Sequence, residues 1–541
     1  MSRPVMLLVV LFPFLLSAQH LKKADKKLIE NLENHIKFLA SDELEGRRAG
    51  TPGELKAVNY IIAQYQKAKI QPLGTNGYIQ SFSIDEGKKL SSNSYIKVNH
   101  QSLDLDSSFF PLSNSGTGKL SSLVSINLHE NHQIWFIDVN DILEENTNNP
   151  HFDINEWLLK STQQTKQKGG IALFLYNSGN LVDNIQFYKY DTAKSLSIPV
   201  MYITKKGFSK YFNDETSTYE IEANIEFEHP TRTAHNVAAF IDNHAPTTVI
   251  LGAHLDHLGY NEDHNALDIN NNIRNGADDN ASGTAGLIEL AKLLQKKSPT
   301  HNNYLILHFS AEELGLLGSK YWLEHPTYKG DYNYMINMDM IGRYDTARKL
   351  TIGGYGTSNQ WANILGRVQH TFNTHYDSAG SGPSDHASFY RKDMPVLFMF
   401  TGSHSDYHKA SDDWDKINYE AEAQIIKYVE SIIREADALG KLDFLKTRET
   451  AMGRSTKFTV SLGVMPDYAF TGQGVRIEGA SPGKLGEKLG LRGGDVLVQL
   501  GEYKLVDVMS YMQALSKFKK GDKTVLTYKR GADELKAEIV F

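Results

Sequence analysis

Between about residues 231 and 440 two hydrophobic patterns alternate along the chain. Short, largely apolar runs at 248–253, 304–309, 335–338 and 395–400 have the length and composition of buried strands. Longer stretches at 282–297, 358–371 and 419–439 place apolar residues at helical spacing, and Leu287, Leu290, Leu293 and Leu294 form one such stripe. Strands alternating with amphipathic helices predict an α/β sheet. Residues 25–72 read as helical. Thr51-Pro52-Gly53-Glu54 has the form of a helix start, with Thr51 as N-cap, Pro52 in the first turn and Glu54 closing a capping box. Tyr60, Ile61, Tyr65 and Ala68 supply the apolar face, and Gly74 lies past the end. Residues 78–230 change character. Short β-prone runs at 134–139, 171–176 and 198–203 lie between Asn-, Ser- and Asp-rich loops, which predicts a mainly β insertion with a helix near 157–168. A charged, weakly patterned stretch, 441–456, reads as a linker, and 457–541 as a compact domain of short strands.

The chain of 541 residues is long enough for about three domains. A hydrophobic content of 40% and a charged content of 22% are those of a globular protein. A net charge of −7 with no basic tract argues against nucleic acid as a partner. With no cysteine, disulfides, iron–sulfur clusters and thiol nucleophiles are excluded. The first residues hold one positive charge, an apolar run from Val5 to Leu16, and Ser17-Ala18-Gln19. This fits a secretory signal peptide over 1–18, and the run is short for a bilayer span; the competing reading is an N-terminal membrane anchor. The expectation is an exported protein, periplasmic or secreted, with no membrane span in the mature chain.

Candidate chemistry gathers just after the strand signals. His254 and Asp256, then Asp278-Asp279, then Glu312-Glu313, then Asp339, then Tyr407-His408 stand in order along the α/β region. In open α/β sheets ligands bind beyond the carboxyl ends of the strands. Histidines and carboxylates without cysteine are the donors of hydrolytic rather than structural zinc, and they accept manganese and cobalt as well. A glutamate pair offers one carboxylate to a metal and a neighbour for proton transfer, a combination suited to metal-assisted attack of water on an acyl group.

These strings make the chain similar to metallopeptidase family 28, the di-zinc aminopeptidases and glutamate carboxypeptidases. The matching segments are His254-Leu255-Asp256, Asn275 to Gly283, Ser310-Ala311-Glu312-Glu313, Asn337 to Met340, Ser384-Asp385-His386 and Asp406-Tyr407-His408. Leu39 to Arg47, with Gly50 to Gly53, resembles the family's N-terminal segment. The resemblance implies the zinc exopeptidase fold: α/β, with a mixed, mostly parallel sheet sandwiched by helices, built from 25–77 and 231–440. The insertion at 78–230 is similar to a protease-associated domain. Through Leu462-Gly463-Val464 and the Gly490 to Val496 turn, 457–541 is similar to a PDZ domain.

Carried over by the resemblance, two zinc ions per chain would share Asp279, with His254 and Asp339 on one and Glu313 and His408 on the other. Glu312 would be the general base. Asp256 is placed to accept the other ring N–H of His254. Tyr407 reads either as a donor to the oxyanion or as a packed aromatic. His257 and His404 do not match the family's ligand positions and read as surface or supporting residues. His308 reads as a core histidine, Asp278 as a residue that shapes its loop, and Asp385 and His386 as neighbours of the site. Gly354-Tyr355-Gly356 lacks the third glycine of a dinucleotide fingerprint.

The expected activity is an exported zinc exopeptidase, an aminopeptidase acting on peptide substrates. The alternatives are a carboxypeptidase or dipeptidase of the same family, a single-zinc glutaminyl cyclase, and a non-catalytic peptide-binding protein. A peptide or protein C-terminus is the expected partner at the PDZ-like domain.

Overall fold

The computed structural model describes residues 23–447 and 460–541, apart from 148, 150–151, 184, 190, 192, 215, 264, 269, 271, 346–348, 467–472, 481–483, 507, 516 and 532. Residues 1–18, expected to be a signal peptide, and residues 448–456 of the expected linker lie outside the described residues. Two compact units divide the chain: one runs to Phe82 and resumes with Thr233–Phe541, and the other is Ser83–Arg232. No helix among the described residues is long and apolar enough to cross a membrane.

The first unit is built on one large sheet. Its elements are α1 (Lys23–Leu39), α2 (Pro52–Ala68), β1 (Thr231–Ile241), β2 (Thr247–His254), α3 (Gly283–Lys297), β3 (Asn302–Phe309), α4 (Leu317–Glu324), β4 (Asp331–Met338), β5 (Leu350–Gly353), α5 (Gln360–Arg367), β6 (Thr374–Tyr376), α6 (His386–Tyr390), β7 (Val396–Phe400) and α7 (Tyr419–Asp437). Seven of the nine strands of the sheet lie in the order β1-β3-β2-β4-β7-β5-β6, and the short strand Gln71–Pro72 pairs with the free side of β1. β3, β2, β4 and β7 are mutually parallel, while β1 and β5 run antiparallel to their neighbours β3 and β7. The sheet is therefore mixed and mostly parallel, as expected.

Helices cover both faces, so every residue of β3 is buried and its apolar residues Tyr304 to Leu307 follow one another rather than alternate. On one face α1, α2, α3 and α7 pack Leu32, Ile61, Leu287, Leu290 and Ile432 against Val249, Leu251, Ile306 and Ile336. On the other, Trp322 of α4 and Phe389 of α6 pack against Ile250, Leu305, Leu307 and Met335. Thr51 caps α2, its hydroxyl accepting from the Glu54 N–H at 3.5 Å. Glu54 does not close the box. The Thr51 N–H donates to Arg48 O, and the Glu54 carboxylate reaches across to His235 and Ser310.

Elsewhere the structure departs from the pattern in three ways. The helix expected over 358–371 is only Gln360–Arg367, since Ser358 and Val368 are extended. β1, eleven residues long, carried no signal strong enough to be read as a strand. Residues 441–447 are not a free linker. Leu442 joins the core of this unit, the Leu442 N–H donates to Asn333, and Thr447 hydrogen-bonds Tyr390.

Within Ser83–Arg232, two four-stranded sheets are present. Ile134–Asp138, Ala172–Tyr176 and Val200–Ile203 run parallel, and helices cross between the first two of them. Three helices, Val139–Glu145, Ile154–Gln167 and Lys205–Tyr211, stand where one was expected, because two are only seven residues long. Near the end of the chain a six-stranded sheet encloses its own core around Leu462, Ile477, Leu497, Leu526 and Ile539.

Candidate metal centre

Four parallel strands deliver their carboxyl ends to one edge of the sheet. β2 ends on His254, β3 runs into Ser310 to Glu313, β4 into Asp339, and β7 into the loop that carries His404, Tyr407 and His408. The Asp278-Asp279 pair lies in an irregular turn leading into α3, the helix that crosses from β2 to β3. Gly276 opens this turn at φ 55°. A Cβ there would run into Asp279 O and the His257 ring, so the loop needs glycine for both conformation and space. The Asp279–Asn280 peptide is cis. Asn280 ties the turn to its surroundings: its side-chain oxygen accepts from the Gly283 N–H at 2.9 Å and the Met340 N–H at 3.1 Å.

Two donor groups meet on Asp279. His254 Nε2 lies 3.3 Å from Asp279 Oδ1 and 3.3 Å from Asp339 Oδ1. His408 Nε2 lies 3.2 Å from Asp279 Oδ2 and 3.1 Å from Glu313 Oε2. Asp279 thus turns one oxygen to each imidazole, the arrangement a carboxylate needs to bridge two cations. The ring nitrogens are set from behind. His408 Nδ1 donates to Asn265 O at 3.0 Å, and His254 Nδ1 to Asp256 O at 3.3 Å. A carbonyl can only accept, so in each ring Nε2 is left to face the carboxylates.

Asp256 differs from expectation in which atom does the work. Its carboxylate is 3.7 Å from His254 Nδ1, beyond hydrogen-bond reach. Instead Asp256 Oδ1 accepts the Glu312 N–H at 3.1 Å and so holds the glutamate loop. His257 is buried rather than on the surface. Its Nδ1 lies 2.8 Å from Glu313 Oε1 and 3.8 Å from Asp279 Oδ2. It could itself hold a cation with Asp279 and Glu313. His404 is equally buried, with Nε2 3.2 Å from Asp278 Oδ2. Asp278 shapes the loop, as expected: its Oδ1 accepts from the Gly342 N–H at 2.7 Å and the Ser282 hydroxyl at 3.0 Å. The Tyr407 ring stacks on His408 at 3.9 Å and packs beside Met340, Phe398 and Phe400. Asp385 and His386 are buried, and His386 stacks on Phe398.

The electrostatics describe a place that favours positive charge. Burial alone would lower the His254 imidazole, but the Asp339 and Glu312 charges and hydrogen bonds to its acidic neighbours hold it well above its ordinary value. His408 is raised in the same way against burial, chiefly by Glu313 and Asp279. Against its own burial, Glu313 is held down at about 2 by His408 and His257. Glu312 goes the other way. Burial raises it, the His254 charge opposes this, and the Asp385, Asp339 and Glu313 carboxylates raise it further, well above the carboxylate range. Buried charges must be paired or coordinate a metal, and the donor set of imidazole and carboxylate fits divalent cations of the zinc type.

Residues to which sequence reasoning gave no part in the site support the centre. Asp412 Oδ2 accepts the N–H groups of Asp278 at 3.0 Å and Asp279 at 3.1 Å. Glu54, from α2, accepts from the Ser310 hydroxyl at 2.5 Å, just ahead of Glu312. Asn265 donates its side-chain N–H to Glu313 O at 2.8 Å. None has a spacing that marks it, since each acts from a different part of the chain.

Residues 236–433 match the family model described as Peptidase family M28. Through that domain the chain is similar to this family of metallopeptidases. Among curated relatives, Aminopeptidase YwaD of Bacillus subtilis is 24% identical over 51% of this chain and 59% of its own. A probable leucine aminopeptidase 2 of Aspergillus oryzae is 25% identical over 38% of this chain and 45% of its own. The chain thus spans about half the length of these relatives. Among solved structures, a zinc aminopeptidase of Bacillus subtilis is 19% identical, with 77% of this chain and 95% of that chain covered at a TM-score of 0.43.

Proposed function

We propose that the protein is a zinc-dependent exopeptidase that removes N-terminal residues from peptides, with two zinc ions per chain. The observation that carries this reading is the pair of donor groups, His254 with Asp339 and His408 with Glu313, that share the two oxygens of Asp279. Curated relatives that bear the name aminopeptidase support it. Divalent zinc held there supplies a Lewis acid for the scissile carbonyl and lowers the pKa of water. Glu312, beside the donors but bound to neither imidazole, takes the proton of the attacking water and returns it to the leaving amine. Burial raises its hold on a proton, which suits a group that keeps one between the two transfers. Tyr407, adjacent to His408, is the candidate donor to the oxyanion. We further read the first residues as an export signal and 457–541 as a module that takes a peptide or protein C-terminus. Cleavage of a panel of free, N-acetylated and C-amidated dipeptides tests the polarity. Loss of cleavage on N-acetylation with tolerance of the amide is expected. Cleavage of acetylated peptides that depends on a free C-terminus would replace this reading by a carboxypeptidase.

A further inference from the structure

The guanidinium of Arg47 is almost wholly buried, at 1% exposure. It makes four hydrogen bonds, all to backbone carbonyls. Nε donates to Leu255 O at 2.9 Å, Nη1 to Leu39 O and Asn275 O at 2.6 Å each, and Nη2 to Gly276 O at 3.0 Å. Leu255 lies between His254 and Asp256, and Asn275 and Gly276 open the turn that carries Asp279. One rigid fork therefore spans the two loops that supply His254 and Asp279, the pair separated by 3.3 Å. The chain goes to some length to deliver this side chain. Glu45, Gly46 and Arg47 have φ of 48°, 68° and 49°, three successive left-handed residues, a conformation that costs energy in a non-glycine residue and persists only where the surroundings impose it. The turn is pressed against the same region, since a Cβ on Gly46 would sit 2.5 Å from Arg274 O. Arg47 also lies outside the matched domain of 236–433.

We propose that Arg47 is a positioning residue that sets the separation of the His254 loop from the Asp279 loop and so determines how tightly the centre holds its metal. A planar guanidinium with donors in fixed directions can satisfy carbonyls from three segments at once, whereas a lysine ammonium acts as a single point. The inference rests on the reading of His254 and Asp279 as metal ligands.

The test compares wild type, Arg47→Lys, Arg47→Met and, as a destabilised control far from the site, Ile432→Val in α7. Zinc affinity is measured by competition with a chromogenic chelator, and Tm is measured on metal-stripped and zinc-loaded protein. Both Arg47 variants should bind zinc more weakly by about 10–100-fold, the usual effect of removing support behind metal ligands, and zinc should raise their Tm by less than it raises that of wild type. Ile432→Val should lower both Tm values equally and keep wild-type affinity. If Arg47→Met does not fold, Arg47→Lys, which keeps the cation and loses the fork, decides. A lower stripped-state Tm with unchanged zinc affinity would reduce Arg47 to a packing role and overturn the proposal. Wild type that takes up no zinc would overturn the metal reading with it.

Discussion

At the residue scale the glutamate pair divides two tasks between neighbours. Glu313 is held ionised by two histidines, whereas Glu312 makes no such pair and is held toward protonation. Glu312→Gln should lower kcat by several orders of magnitude while metal analysis still finds zinc at the wild-type level. Zinc loss in that variant would mean the roles are exchanged. Glu313→Gln should deplete zinc. His257 ties down Glu313 Oε1 and leaves Oε2 to the His408 side, so His257→Phe should weaken zinc retention by about 10–100-fold; unchanged retention would show that Glu313 needs no such partner. A histidine in the core gives a different signal. His308 is fully buried in β3, accepts the Tyr65 hydroxyl at 2.5 Å, and is pushed by burial down to about 3. The unfolded chain takes up this proton below about pH 6.5 and the folded chain only near pH 3, so stability falls as pH drops through that window. At pH 5 the loss is about 2 kcal/mol, from one and a half pKa units at 1.36 kcal/mol each. Chemical denaturation of His308→Gln should lack this part of the acid sensitivity, and an equal pH slope in both proteins would contradict it.

At the element scale the centre depends on how strands end and helices begin. β2, β3, β4 and β7 are parallel, so their carboxyl ends gather donors that lie as far apart in sequence as His254 and His408. The turn before α3 is the most constrained piece, with Gly276 in the left-handed region against the His257 ring and Asp279 O. Gly276→Ala should leave the far-UV circular dichroism nearly unchanged, because the strands and helices do not pass through it, yet strip the protein of zinc and activity. A variant that keeps its zinc would show that the turn relaxes without moving Asp279.

At the scale of the whole molecule, the domain of 236–433 is not self-sufficient. Arg47 and Glu54, both from the N-terminal segment, hold the backbone at the centre and the loop ahead of Glu312. Residues 441–447 complete the core of the same unit. A chain ending after Thr447 should therefore hydrolyse dipeptides at nearly the full rate, whereas one ending at Gly440 should be less stable because Leu442 and the Thr447–Tyr390 contact are gone. If the C-terminal module captures substrates, loss in the longer of these chains should fall on long peptides alone. Equal loss on short and long peptides would leave the module a structural part.

What the residues by themselves determined is the material of the fold and of its chemistry. Largely apolar runs mark β2, β3, β4 and β7 because a sheet covered on both faces has no solvent-facing side to alternate with. The donors could be read from their types and from their places after those runs. Tertiary structure alone decided the rest. β1 has a mixed pattern, Thr231 to Ile241, and becomes a strand because β3 presents an edge to it. Glu54, which looks like half of a capping box, serves Ser310 and His235 because folding brings those partners nearer than its own N-cap. The Asp256 carboxylate steadies Glu312 and leaves only the backbone carbonyl of Asp256 to His254, His257 turns inward onto Glu313, and Arg47 joins loops more than two hundred residues away. A side chain's type says what it can bond, but only the folded distances, a few ångströms one way or another, choose the partner.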